Sequence, residues 1–457
     1  MNLNFLKNNI PYFLFIAASA FFIYNSKLTI KEAHTLFITL ITASLWVTEK
    51  FPIPVSSLIP IAAFPLFGIL DSKMVAQAYG SPLILLLLGG FMLSVAMSAT
   101  QTHKLIANKI IKIVGTDSQA KILLSFMITA SLLSMWISNT ATTLMLLPIA
   151  LAILDKNASK SFSIILLLGI AYAASIGGIA TPIGTPPNLI LIQAMNEAGL
   201  AEIGFLNWMK QVLPILIIIF PVVFFYLRSF LNNRPINYEI ERLSITSSQI
   251  KVLTVFVITA ILWMTRVEPF GGWKQLFDLP YANDASVALL AVVVLFTLKD
   301  KEKKPIISWE AINKIPWGVL LLFAGGITIA SAFRETGLSA SIANNLMFLN
   351  NFPTWMIVGF ICLFVTFLTE VTSNTATTAV LMPILLSTAQ ALNIDPMLLM
   401  LPATISASFA FMMPVATAPN AIIFSSGEVP IKKMIRIGLF LNIIGAVLLT
   451  LYFSIVN

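Results

Sequence analysis

The sequence predicts an all-α polytopic membrane protein of about 11 transmembrane helices and two re-entrant helical hairpins, built as an inverted-topology repeat with two broken helices. Three observations carry that expectation. Of 457 residues, 58% are hydrophobic and 10% charged, with a mean hydropathy of +0.93, whereas soluble domains carry about 25% charge. Apolar runs able to cross or half-cross a bilayer, about 20 residues for a full helix, recur from end to end and leave no room for a sizeable soluble domain. Runs 83–93 and 212–227 hold no charge and no alternation, which excludes the weak ten-residue segments of a barrel. Third, Ser138-Asn139-Thr140-Ala141-Thr142-Thr143 recurs letter for letter as Ser373-Asn374-Thr375-Ala376-Thr377-Thr378, and ten of the fourteen positions from Ser138 match those from Ser373.

The N-terminal segment, 1–33, has Lys7 and an apolar run holding Ala18-Ser19-Ala20, the pattern of a signal peptide; it is expected to be retained as a first helix over 11–26. A second helix over 34–48 ends where Pro52 and Pro54 force a break. Helices follow at 55–70 and 81–99, the latter carrying Gly89-Gly90, a small pair that lets another helix approach closely. Residues 100–116 mix His103, Lys104, Lys109 and Lys112 with Leu105, Ile106, Ile110, Ile111 and Ile113, as an interfacial amphipathic helix does.

Residues 118–152 carry their polar centre at 138–143 and charges only near the ends. Two half-helices with an irregular tip fit better than one span. The run 162–196 is interrupted by Thr181-Pro182-Ile183-Gly184-Thr185-Pro186-Pro187-Asn188, too rich in proline for regular helix. A span at 211–228 closes the first repeat, 34–230, and the polar stretch 231–248 is a cytoplasmic linker. The second repeat, 249–457, has spans at 251–265, 285–298 and 317–333, a lysine-rich connector at 299–314, a hairpin at 352–388, a broken helix at 396–427 interrupted at Pro414–Asn420, and a final span at 433–455. Gly325-Gly326 follows Gly89-Gly90 by 236 residues, the tips are 235 apart, and Asn188 and Asn420 are 232 apart, so order and spacing repeat.

Counting crossings with the N-terminus cytoplasmic and the C-terminus outside places 20 of the 27 Lys and Arg inside and 7 outside, as the positive-inside rule requires. The net charge of +8 is therefore topological and gives no reason to expect a nucleic-acid partner. The two halves come out inverted, and inverted repeats with discontinuous helices point to a secondary transporter with its site near the bilayer midplane. One cysteine, Cys362, excludes an internal disulfide, and two distant histidines, His34 and His103, make no zinc site. No catalytic constellation or sensing domain is visible, which argues against an enzyme or a receptor.

Ser, Asn and Thr offer neutral oxygens and donors, and an interrupted helix adds unpaired N–H groups for anions and carbonyls for cations. The stretches 134–151, 181–190, 371–386 and 414–423 contain no Lys, Arg or His. A bound anion must be balanced otherwise, because an uncompensated buried charge costs several kcal/mol, and co-bound sodium suits these oxygens. A single Ser-Asn-Thr in a membrane helix is more often a packing group; duplication at two hairpin centres reverses that reading. Glu370 is intramembrane and reads as a relay, a cap or a vestibule residue. Glu49 and Trp46 read as helix-end anchors, His103 as interfacial and Cys362 as packing.

These four stretches resemble the divalent anion/sodium symporter family, in particular bacterial dicarboxylate transporters, whose hallmarks are paired Ser-Asn-Thr tips and two proline-rich helix breaks. The resemblance runs from Trp46-Val47-Thr48-Glu49 to Ile423 and is most specific over 406–421 and the twin tips. It implies a multi-pass protein of the bacterial plasma membrane and a homodimer whose transport domain, formed by hairpins and broken helices, moves like an elevator. It also implies sodium-coupled carriage of C4-dicarboxylates, with an exchanger, a citrate carrier or a sulfate carrier as alternatives. By motif, the first sodium site takes Ser134, Ser138, Asn139 and the Gly184 carbonyl, and the second takes Thr369, Thr372, Asn374 and the Ala416 carbonyl. Substrate carboxylates meet Asn139, Thr140 and Thr185 on one side and Asn374, Thr375 and Thr417 on the other. Two departures set the halves apart: Ala418 stands where Pro186 does, and Thr372 has Ile137 as its counterpart.

Overall fold

The computed structural model describes residues 19–20, 23, 28–154, 159–200, 202–232, 244–301 and 303–455. Apart from 19–20 and 23, which are helical, the expected first helix at 11–26 lies outside the described residues, as does the middle of the 231–248 linker. Among the described residues the chain is helical throughout, with one isolated bridge between Lys299 and Pro305 in the lysine-rich connector.

Helix α1, Ile30–Thr48, begins four residues before its expected start. Thr29 accepts from the Glu32 N–H and the Glu32 carboxylate accepts from the Thr29 N–H at 2.8 Å, a capping box that fixes the start. The helix ends at Glu49 with φ of +46°. Trp46 is fully buried and its indole donates to Ser57 at 3.0 Å, anchoring this end to α2, Ile53–Leu66. Next come α3, Ser72–Tyr79, and α4, Pro82–Ala99. In α5, Thr102–Val114, Lys109 and Lys112 are exposed while Ala107 and Ile111 are buried, the expected amphipathic division. His103 departs from expectation: it is 5% exposed and faces the Met97 carbonyl, so burial holds its imidazole below the usual range.

The first tip joins α6, Gln119–Ser134, to α7, Asn139–Leu154. The first broken helix consists of α8, Lys160–Gly178, and α9, Pro186–Glu197, and is followed by α10, Phe205–Arg228. The second half has α11, Ser247–Met264, α12, Asp284–Thr297, α13, Trp317–Thr336, and α14, Leu338–Asn345. Its tip joins α15, Thr354–Leu368, to α16, Asn374–Ala391; its broken helix is α17, Pro396–Ala407, with α18, Ala418–Ser425; α19, Ile431–Ile455, ends the fold. Six stretches among the described residues are long and apolar enough to cross a membrane alone, and six more apolar helices are shorter. The chain is a multi-pass membrane protein.

The proline-rich strings are more helical than expected. Pro186 and Pro187 form the first turn of α9 and Pro419 lies in the first turn of α18, where a missing N–H is harmless because that turn has no partner for it. The irregular backbone precedes them, at 179–185 and 408–417.

Packing between the halves is reciprocal. Helix α4 lies against α12 while α13 lies against α2, and α9 lies against α16 while α18 lies against α7. The glycine pairs explain the first exchange. A Cβ on Gly89 would stand 2.5 Å from the Ala288 Cβ, and one on Gly325 would stand 2.8 Å from the Ser57 carbonyl oxygen. Neither neighbour is the end of a flexible side chain, so only glycine lets these helices meet. By contrast, a Cβ on Gly90 would meet nothing within 4 Å.

This contrast yields a prediction. Gly89→Ala and Gly325→Ala should each lower the thermal midpoint of the detergent-purified protein, overpacking costing about 1–3 kcal/mol. Gly90→Ala should leave the midpoint level or slightly raised, since alanine favours helix over glycine by about 1 kcal/mol. A uniform response of all three variants would contradict the packing.

Candidate functional site

Each tip is closed by one side-chain bond. The Ser134 hydroxyl donates to Asn139 Oδ1 at 2.5 Å, and 235 residues later the Thr369 hydroxyl donates to Asn374 Oδ1 at 2.5 Å. Ser134 and Thr369 are fully buried. One turn on, the hydroxyls of Thr143 and Thr378 donate to the main-chain carbonyls of Asn139 and Asn374 at 2.9 and 2.8 Å. The four bonds hold each asparagine as the first residue of its helix while its amide is half-buried.

The breaks are held by a second pair of asparagines. Asn188 Nδ2 donates to the carbonyls of Gly178 at 3.0 Å and Thr181 at 2.7 Å; Asn420 Nδ2 donates to those of Ala410 at 2.9 Å and Met413 at 3.0 Å. All three positions in each set are 232 apart, so the two halves solve one problem in the same way. Buried carbonyls released by a helix break must find donors, and one amide bridges both sides of the break. Trp208 takes the Ile179 carbonyl at 2.9 Å.

The first break lies directly on the first tip. A Cβ on Gly184 would stand 2.4 Å from the Gly178 oxygen and 3.0 Å from the Ser134 oxygen, and one on Gly178 would stand 2.5 Å from Asn139 Oδ1. Carbonyl and amide oxygens therefore gather where a hard cation is expected. In the second half Thr369 also donates to the Ala407 carbonyl at 3.1 Å, bringing tip and broken helix together.

The halves differ where the sequence departs from symmetry. Thr372 donates to the Leu368 carbonyl at 2.8 Å and lies 2.6 Å from the Thr377 hydroxyl, bonds that Ile137 cannot make. Thr417 caps α18 by accepting from the Asn420 N–H at 3.2 Å, whereas Thr185 caps α9 without a side-chain bond. Thr181 donates to the Met135 carbonyl, and the counterpart of Met135 is Glu370. Glu370 is 3% exposed; its carboxylate accepts from the N–H groups of Met412 and Met413 at 2.8 Å each and from Asn442 Nδ2 at 2.6 Å. It braces the second break. Tyr172 of the first half adds a bond to the Phe411 carbonyl at 2.7 Å.

A cavity of about 530 Å³ lies where the two tips and two breaks converge. Its lining includes Asn139, Thr140, Thr185, Asn374, Thr375 and Thr417, all six residues expected at the substrate, together with Ser138, Gly184 and Ala416 from the expected sodium sets. Ser134, Thr369 and Thr372 are buried and are not part of the lining. Two charged residues outside the four polar stretches also line it, Glu49 and Lys314. Glu49 was expected to anchor a helix end in preference to binding substrate, and Lys314 was not singled out. Nothing local marks Lys314 among its neighbouring lysines; only the packing of the connector brings it to the cavity.

The comparisons with known proteins agree in kind. The family described as citrate transporter (CitMHS) matches residues 43–399. The chain is 37% identical over 446 residues to the sodium-dependent dicarboxylate transporter SdcS of Staphylococcus saprophyticus subsp. saprophyticus, covering 92% of this chain and 85% of that one. It is 38% identical over 464 residues to SdcS of Staphylococcus aureus strain MSSA476, covering 96% and 88%. Among solved structures, the fold is similar to the Alcanivorax borkumensis YdaH transporter, with a TM-score of 0.61 at 14% identity over 93% of this chain and 99% of that one. It is also similar to Neisseria gonorrhoeae MtrF, with a TM-score of 0.58 at 12% identity over 96% and 97%.

The braces should be measurable. Asn188→Ala and Asn420→Ala each strand two or more buried carbonyls, and Glu370→Ala strands three donors; an unsatisfied buried group costs about 1–3 kcal/mol. Each variant should lower the thermal midpoint of the purified protein, and Glu370→Ala should lower it more than Glu370→Gln, which keeps one acceptor oxygen. Midpoints equal to that of the unmodified chain would refute the bracing.

Proposed function

This chain belongs to the divalent anion/sodium symporter family, and from that membership we propose that it is a secondary active transporter coupling sodium to the movement of C4-dicarboxylates such as succinate, malate and fumarate. The observation that carries the reading is the single cavity lined by both tips and both breaks. One carboxylate meets Asn139, Thr140 and Thr185, the other Asn374, Thr375 and Thr417. A four-carbon dianion suits two opposed sets of neutral donors, each backed by a helix N-terminus that favours negative charge.

Sodium is cargo in this scheme. One ion takes Ser134, Ser138, Asn139 and the Gly184 carbonyl, the other Thr369, Thr372, Asn374 and the Ala416 carbonyl. The gathered oxygens at Gly178 and Gly184 favour the first assignment. The asparagines couple the two cargoes, offering an oxygen to the cation and an amide to the anion. Lys314 at the cavity adds a basic group, and Glu49 opposes it, so the dianion still relies on sodium for most of its charge balance.

The hairpins and broken helices form a transport domain that moves as an elevator within a homodimer, the repeats lying inverted in a bacterial plasma membrane. With the N-terminus cytoplasmic, Glu49 and Lys314 lie on the inner side and the cavity is open inward. The second reading is a citrate carrier, which the description of the matching family favours.

Radiolabelled succinate uptake into liposomes tests the proposal. Uptake should require a sodium gradient, and competition by citrate, sulfate and 2-oxoglutarate should rank the substrates; uptake unchanged when choline replaces sodium sinks the coupling. Asn139→Ala and Asn374→Ala should each reduce uptake to background while the protein remains folded. Near-normal flux through either variant refutes the assigned roles.

A further inference from the structure

Charge collects on the side of the helix bundle opposite the cavity mouth. Lys314 lines the cavity at the end of the connector that follows α12, so the start of α12, at Asp284, lies at the far side. Helix α9 runs away from the cavity, from Pro186 in its lining to Glu197, and the Glu202 that follows it reaches the same place. Three ion pairs gather there. Arg266, 2% exposed, donates from Nε to Asp284 Oδ1 at 2.6 Å and from Nη2 to Glu202 Oε1 at 2.7 Å, and the Lys210 ammonium pairs with the Glu268 carboxylate.

These pairs join two different parts of the molecule. Arg266 and Glu268 follow α11, and Asp284 opens α12, the helix on which α4 packs. Glu202 follows the first broken helix. Lys210 is in α10, which packs on α6 and α8 and whose Trp208 takes the Ile179 carbonyl of the break at 2.9 Å. Beside the charges the Phe205 ring of α10 stacks between Trp136 of the first tip and Trp263 of α11, with centroids 5.8 and 5.2 Å away. The Trp263 indole donates to the Asp284 carbonyl at 2.9 Å, which leaves only flat ring faces between Phe205 and Trp263. The ion pairs are the directional part of this seam.

We propose that Arg266, together with the pair of Lys210 and Glu268, is a positioning device for the transport cycle: it latches the first broken helix and α10 in the inward-open arrangement and is released each time they move. The proposal rests on the elevator reading, in which the hairpins and broken helices slide past α11 and α12. Such a slide carries Glu202 and Lys210 away from Arg266 and Glu268 together. Release strands no buried cation, because Asp284 stays beside Arg266 and keeps its bond, and an unpaired guanidinium at that depth is what burial penalises most. Glu202, with 55% of its side chain exposed, returns to water. Partly exposed ion pairs are individually weak. They bias the position of a domain without fixing it.

A cysteine in the cavity reports that position without any cargo. Val415 lines the cavity, is exposed and belongs to the second break, so Val415→Cys travels with the moving part, while Cys362 is fully buried. In right-side-out vesicles without succinate, a membrane-impermeant maleimide should reach it from outside only in the outward-open arrangement. Glu202→Ala combined with Glu268→Ala should speed that labelling roughly fivefold over Val415→Cys alone, and in inside-out vesicles labelling should stay level or fall. Lys210→Glu should also speed labelling from outside, and adding Glu268→Lys, which restores the pair in reverse, should slow it again. An unchanged outside rate, faster labelling from both faces, or a reversed pair as fast as Lys210→Glu alone overturns the latch. Failure of the unmodified chain to carry succinate sinks the proposed function separately, since the labelling uses no cargo.

Discussion

A helix interrupted in an apolar chain releases carbonyls that lipid cannot satisfy, and the rest of this structure depends on the two buried asparagine amides that take them up. Asn188 and Asn420 each bridge the carbonyls at the two sides of a break. Without them the irregular backbone at 179–185 and 408–417 would have no low-energy shape at this depth. With them, each break presents a helix N-terminus to a tip, and the four elements meet at one cavity. The hydrogen bonds of the breaks are settled away from the cavity, leaving the tip asparagines and helix starts to line it.

The halves repeat this solution but not its reinforcement. In the first, a hydroxyl and a main-chain carbonyl join tip to break, through Thr181 and Met135. In the second, a buried carboxylate does so, Glu370 accepting from two main-chain N–H groups and from Asn442. Thr372 and Thr417 have side-chain bonds that Ile137 and Thr185 lack. The Glu370 carboxyl thus gathers three donors where the first half has a single hydroxyl bond between break and tip. Two tips of similar composition then rest on breaks braced by different chemistry.

Electrostatics follow the same economy. The tips and breaks themselves hold no basic residue, and charged residues enter from the ends of neighbouring helices, Lys314 before α13 and Glu49 after α1. In the proposed scheme, neutral amides at the centre would bind an anion without trapping it, and charges at the edges would raise its local concentration.

Much of the fold was legible because membrane spans announce themselves by length, and breaks by proline, glycine and polar residues in apolar runs. The duplicated tips, the glycine pairs and the spacing of Asn188 and Asn420 were visible as a repeat. Helix ends were less legible: α1 begins at Ile30 because Thr29 and Glu32 cap one another, and Pro186 and Pro187 open a helix instead of a loop. His103 reads as interfacial from its neighbours yet packs inward. The sequence by itself determined the span pattern, the repeat and the chemistry of the tips, because these are local properties of residues and their periods. Only the tertiary structure decided that both tips share one cavity, that Glu370 braces a break 42 residues away, and that Lys314 joins the cavity lining. Those relations arise from how distant helices pack, and no local pattern encodes them.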